Sequence, residues 1–250
     1  SHHIQNTYPV FSHIRECDVE ADVVIDFGAA VAIDGLLEYC VEKQVPCVLC
    51  TTGLSNEQLA AVEEAAKKVA ILKSANMSLG VALLVELAKT AAKTMPDADI
   101  EIIEQHHNRK LDAPSGTALM IANAIKAVRE KAQFVFGREG MAKREKDEIG
   151  VHAVRRGNIV GIHEVLVSTD SQTITLKHEA HSRALFAEGA VSAAEFILGK
   201  PAGLYNMNSI VEWDTTYVWD TTKNSLPILR MGAIYPSEPS GEYFRRDLAQ

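Results

Sequence analysis

Across its 250 residues the chain has no run of about 18 or more apolar residues, so nothing in it reads as a membrane-spanning helix. It does not open on a basic stretch followed by an apolar one, as a secretory signal would. Basic excess is missing too. Against 33 Asp and Glu stand 25 Lys and Arg, a formal net charge of −8, which argues against a nucleic-acid surface. The expectation is a cytoplasmic protein that engages neither membrane nor nucleic acid. Cysteines are few, at 17, 40, 47 and 50, and form no secreted disulfide framework. Cys47-Val-Leu-Cys50 has the CxxC spacing, but on an extended segment an odd spacing sends the two thiols to opposite faces. No helix start lies between them to stabilise a thiolate, so they read as core residues. His2-His3 alone makes no closed metal site. The absence with the largest consequence is the Gly-x-Gly-x-x-Gly turn of dinucleotide-binding folds, which occurs nowhere in the sequence.

What remains is ordinary globular material, 47% hydrophobic and 23% charged, long enough for one large or two modest domains. The first part alternates. Val23 to Phe27 is an apolar strand candidate ending at Gly28, and Ile33 to Lys43 has helical spacing at Ile33, Leu36, Leu37 and Cys40. Cys47 to Cys50 is the next strand. Ser55-Asn-Glu-Gln58 is a capping box for a helix to about Lys68, and Val69 to Leu72 a third strand. That order is half of a doubly wound parallel sheet. After Asn76 the pattern changes. A helix from Leu79 to Met95 stops at Pro96, a strand begins at Ile100, and a helix spans Ser115 to about Lys131. Residues 137–148 are charged and read as mobile. Strand candidates near 150–154, 159–168 and 173–178 follow in hairpin order, and a last helix runs from Arg183 to Leu198. The sum is α/β plus α+β, with one helical layer against one face of a mixed sheet.

The most informative stretch is Ile100 to Leu119. A strand runs into His106-His107-Asn-Arg109-Lys110, and Pro114-Ser115-Gly116-Thr117 then opens a helix. Ligands of α/β proteins bind at that edge of a sheet. The free N–H groups of Gly116 and Thr117 can hold a carboxylate, while imidazole and ammonium supply protons and charge. A solvated histidine pair is the plainer reading. Four basic or titratable groups in five residues of an acidic chain favour a catalytic loop for a carboxylated substrate. With the chain extended, His106 and Lys110 share a face, which assigns them to chemistry and His107 to binding. A metal-dependent hydrolase using His106, His107 and Asp112 is a weaker alternative, because the spacing directs no ligands and Lys110 would repel the ion.

The segment resembles the signature of the dihydrodipicolinate reductase family of bacterial lysine and diaminopimelate synthesis, whose members are now called 4-hydroxy-tetrahydrodipicolinate reductases. Asp22 to Phe27, Thr51-Thr-Gly53, Ser74 to Gly80, Arg155-Arg-Gly, Gly161-x-His-Glu-Val165, His178-x-Ala-x-Ser-Arg183, Phe186-Ala-x-Gly-Ala190 and Gly203 to Met207 are similar to family elements, in family order, over roughly residues 20–211. The resemblance implies hydride transfer from NADH or NADPH to a cyclic unsaturated dicarboxylate imine. His106 would be the general acid/base and Lys110 the donor to the imine nitrogen, with His107, Gly116 and Thr117 on the substrate carboxylate. Cys50, Thr51, Thr52, Ser74, Ala75, Asn76 and Met77 would hold the nicotinamide half. It further implies a partial dinucleotide-binding domain at 1–77, a substrate and oligomerisation domain at 78–182, a returning helix at 183–212, and a homo-tetramer. His163 and Glu164 read as structural or interface residues, and Arg183 as an ion-pair anchor.

The sequence departs from the family at several points. The strand, Gly-rich turn and helix that begin the family have no counterpart, which leaves the Val23–Phe27 strand as an open edge. Cys50 stands where the family has Gly, Gly28-Ala-Ala30 replaces Thr-x-Pro, and Met77 replaces Phe. Residues 213–250, with Trp213-Asp-Thr-Thr216 repeated at Trp219–Thr222, match nothing and read as a loosely ordered extension or a cover for the bare edge. The alternative to a working reductase is therefore a cofactor-deficient form that binds the dicarboxylate without turning it over.

Overall fold

The alternating first part folds as strand and helix in turn: β1 Val24–Asp26, α1 Ile33–Lys43, β2 Cys47–Leu49, α2 Asn56–Ala66 and β3 Ala70–Lys73. The structure, a computed structural model, describes residues 9–211. Then come α3 Leu79–Thr94, β4 Asp99–His106, α4 Gly116–Val128, β5 Gln133–Phe136, β6 Glu148–Arg155, β7 Gly161–Thr169 and β8 Gln172–Ala180, with α5 Ala184–Ile197, β9 Gly203–Tyr205 and the single turn α6 Asn208–Val211 closing the described chain.

Two sheets result. The first is all parallel, in the order β1-β2-β3-β9. Its strands are apolar on both faces, as a sheet covered on both sides requires. Cys47, Leu49 and Ile71 pack with Ile33, Leu36, Cys40 and Val62 of α1 and α2. On the opposite face Val48, Cys50 and Leu72 pack with Ala190, Ala193 and Ile197 of α5. The two thiols of the CxxC thus face opposite cores, and each fully buried Ile or Leu here contributes about 1.5–3 kcal/mol. β1 is an edge strand among the described residues, with Phe27 and Ile25 exposed at 57% and 40%. The extension expected at 213–250 lies outside the described residues.

The second sheet is mixed, in the order β5-β6-β4-β7-β8. Here the hairpin order read from the sequence needs correction. Only β7 and β8 form a hairpin; β4 lies between β6 and β7, parallel to the first and antiparallel to the second. β5 and β9, both four residues or fewer, were not legible as strands and are held by their neighbours' ladders. One face of the sheet, through Ile100, Ile102, Ile149, Val151, Val165 and Val167, packs on α3 and α4. The segment expected to be mobile at 137–148 is tied down by Arg144, which donates to Asp99 Oδ1, Glu101 Oε1 and the Glu148 carbonyl.

Helix starts follow the expected chemistry. Ser55 and Gln58 form the capping box of α2, and Ser78 and Ser115 cap α3 and α4 by accepting from the amides of Val81 and Ala118. α4 ends at Val128 rather than at Lys131, where the Arg129 side chain turns back to the carbonyls of Ala92, Met95 and Ala98 at the end of α3.

Candidate active site

The C-terminal ends of β1, β2 and β3 run into Phe27, Cys50–Thr52 and Ser74–Met77, and the C-terminal end of β4 runs into His106–Lys110. These segments face one another across a cleft of about 630 Å3, closed by the starts of α4 and α5. Cys50, Thr52, Ser74, Ala75, Asn76, Met77, His106, His107, Lys110, Gly116 and Thr117 all line it. Thr51 does not. It is buried beneath the wall and donates its hydroxyl to Asp26 Oδ2 at 2.6 Å, while the Gly28 amide donates to Oδ1. Its place is to fix the turn after β1 rather than to line the space. Asn76 Nδ2 donates to Thr117 Oγ1 at 3.0 Å and so joins the two walls.

One premise fails. The chain does not stay extended after His106: β4 ends there, and the Lys110 amide closes a turn on the His107 carbonyl. His106 and Lys110 reach the same cleft through that turn, not through strand alternation. Lys110 Nζ pairs with Asp112 Oδ1 at 2.8 Å, and that bond holds the Asp112 carboxyl below its ordinary value. Burial, then the nearby Arg109 and Arg183, pushes His107 down toward the neutral form, and its buried Nδ1 has no partner among the described residues.

The floor holds what the sequence reading missed. Glu104 lies on the helix-facing side of β4, two residues before His106, and is fully buried. Its Oε2 accepts from His106 Nδ1 at 2.5 Å and from Arg155 Nη1 at 2.8 Å; its Oε1 accepts from Arg155 Nη2 at 2.7 Å and from the Ser115 amide at 2.9 Å. Burial pushes this carboxyl up, but the bonds from His106, Arg155 and Ser115 outweigh it and hold it at about 2. His163, read as structural, lies in contact with the site. Its Nε2 is 3.2 Å from Ser115 Oγ, its ring packs edge-on to His106 at 5.2 Å, and burial pushes its pKa down to about 4. A signal existed for Glu104. A carboxylate in register with Ile100 and Ile102 on an apolar face needs a partner. Arg183 was expected to anchor an ion pair; among the described residues it makes none and lines the cleft instead.

The wall from Phe27 to Met77 fits a nicotinamide ring. Phe27, Cys50 and Met77 give it apolar surface, and burial, with Asp26 nearby, pushes the Cys50 thiol up to about 12, so it stays uncharged. Among the described residues no Gly-x-Gly-x-x-Gly turn occurs. Nor is any described helix long and apolar enough to cross a membrane.

The sequence and the fold are similar to those of known proteins. The family model for "Dihydrodipicolinate reductase, N-terminus" matches residues 1–77, and that for "Dihydrodipicolinate reductase, C-terminus" matches residues 80–211. A 4-hydroxy-tetrahydrodipicolinate reductase of Clostridium tetani is 49% identical over 206 residues, 82% of this chain and 81% of the relative. One from Caldanaerobacter subterraneus is 50% identical over 207 residues, 82% of each. Among solved structures, a dipicolinate-bound dihydrodipicolinate reductase from Paenisporosarcina superposes with a TM-score of 0.65 at 30% identity, over 76% of this chain and 73% of that one. With both halves of the family matched and about half of the aligned residues shared with curated members, this chain belongs to the dihydrodipicolinate reductase family.

Proposed function

We propose that the chain is an oxidoreductase of lysine and diaminopimelate synthesis that reduces 4-hydroxy-tetrahydrodipicolinate, a cyclic unsaturated dicarboxylate imine, to tetrahydrodipicolinate with NADH or NADPH. The observation that carries this reading is the Asn76–Thr117 hydrogen bond, which holds the slot lined by Phe27, Cys50 and Met77 against the N-terminus of α4. A hydride donor in the slot would then face a carboxylated ring. When bound, the nicotinamide supplies the hydride. Everything else falls to the protein. In this reading the amides of Gly116 and Thr117, with neutral His107, hold one carboxylate at the N-terminus of α4. Lys110 exchanges Asp112 for the substrate and donates to the imine nitrogen, countering charge as the ring is reduced. His106 delivers the proton from Nε2, and the 4-hydroxyl leaves as water, so that hydride, proton and water together balance the conversion. The curated relatives named for this reaction support the assignment. A cytoplasmic location and a homo-tetramer complete the proposal.

Calorimetric titration of the 250-residue protein with NADH or NADPH, in the presence of pyridine-2,6-dicarboxylate, tests it. The expected outcome is micromolar nucleotide binding. Dicarboxylate binding with no nucleotide binding would leave this chain a substrate-binding form and sink the reductase reading.

A further inference from the structure

Among the described residues six polar or charged side chains are buried, and four of them, Glu104, His106, Ser115 and His163, meet beneath the cleft. Such a cluster is costly unless every member is satisfied, so its wiring is informative. We infer that Glu104, pinned by Arg155, is a positioning residue that fixes His106 in the tautomer protonated on Nδ1, and that the same carboxylate sets the anion-binding start of α4 against His106 Nε2. The inference rests on reading His106 as the acid/base.

Arg155 comes first. Its guanidinium takes both oxygens of Glu104 in a two-point fork and also donates to the Asp112 carbonyl. This geometry favours a full carboxylate charge with no proton of its own. Glu104 therefore only accepts, and His106 Nδ1 must be the donor. In the neutral ring Nε2 is left bare, ready to take a proton from solvent and return it to substrate. Two neighbours protect that arrangement. A Cβ at Gly161 would lie 3.1 Å from His106 Nε2, so glycine keeps that nitrogen clear. The His163 ring, edge-on to His106, blocks its rotation toward β7. Ser115 Oγ accepts from the Ala118 amide and lies 3.2 Å from His163 Nε2, which holds the His163 ring in place. On the other side, Glu104 Oε1 holds the Ser115 amide one residue before Gly116. One carboxylate thus ties the proton donor and the carboxylate cradle into a single rigid piece.

The test starts on the wild-type protein with 15N-labelled imidazoles. Long-range 1H–15N spectra at pH 8 are expected to show His106 with Nδ1 protonated and Nε2 unprotonated. Glu104→Gln keeps an oxygen for the Ser115 amide and turns an NH2 toward His106, which must then accept. In that variant the Nδ1-protonated signal disappears, kcat falls on the order of 100-fold, and KM for the dicarboxylate changes little. A wild-type His106 protonated on Nε2 overturns the inference, as does a Glu104→Gln spectrum that matches wild type. If that variant does not fold, the wild-type spectrum decides alone. Loss of the parent reading registers elsewhere: His106→Gln would leave kcat unchanged whatever the tautomer.

Discussion

At the scale of single residues, burial acts on Glu104 and His163 in opposite chemical senses, yet both lose stability in acid. Each is held below its ordinary value in the fold, Glu104 at about 2 and His163 at about 4. The unfolded chain therefore binds more protons than the folded one between those values and the ordinary ones, so stability falls as pH drops through each interval. For His163 the contribution is complete above its unfolded value of 6.5 and is lost toward about 4. That interval corresponds to about 3 kcal/mol. Glu104 follows lower, between 4.5 and about 2. Replacing His163 with Gln removes the upper loss. Urea midpoints should show H163Q weaker than wild type at pH 7.5, with the gap closing by about 3 kcal/mol toward pH 4. A gap independent of pH would mean that His163 takes up its proton inside the fold.

Among elements, α5 and the Ser74–Met77 turn form a close joint. A Cβ on Gly189 would lie 1.7 Å from the Met77 carbonyl oxygen, so the helix approaches the turn backbone to backbone. Gly189→Ala forces one of them to move. It should cost about 1–3 kcal/mol in chemical denaturation and weaken nucleotide binding by displacing Met77; unchanged affinity would detach the turn from the cofactor slot. How far the elements were legible follows from how local their causes are. The capping box at Ser55–Gln58 and the 3.6-residue spacing of α1 lie within a few residues of sequence, and both were read correctly. The insertion of β4 between β6 and β7 has no local cause, and neither do the short strands β5 and β9. The cleft residues on the loop were legible because four basic or titratable groups crowd five positions. Arg155 and His163 were not, since a polar residue in an alternating strand looks solvent-facing until its partner is known.

For the whole molecule, the mixed sheet has a second face. Glu101, Ile103, Gln105, Glu164, Leu166 and Lys177 alternate onto the side away from α3 and α4, and no other described element covers them. Several are only half-buried, and Glu101 is engaged by His152 and Arg144. A broad sheet face that joins apolar and paired polar groups suits contact with further copies of the chain. Sedimentation at micromolar protein should give a tetramer; a stable monomer would leave that face to solvent and remove the homo-tetramer from the proposal.

The wiring of Glu104 also dictates when the site comes into being. Its guanidinium partner lies 51 residues along the chain, and the Ser115 hydroxyl meets a histidine 48 residues away. Closing such distances precedes the reward for closing them. A nascent β4 with its helix in place would still bury a bare charge, so local folding alone cannot finish the pocket. During refolding, catalytic competence should therefore lag behind helix formation and rise with the β4–β6 and β4–β7 pairings, which makes recovered turnover a clock for the slowest architectural step.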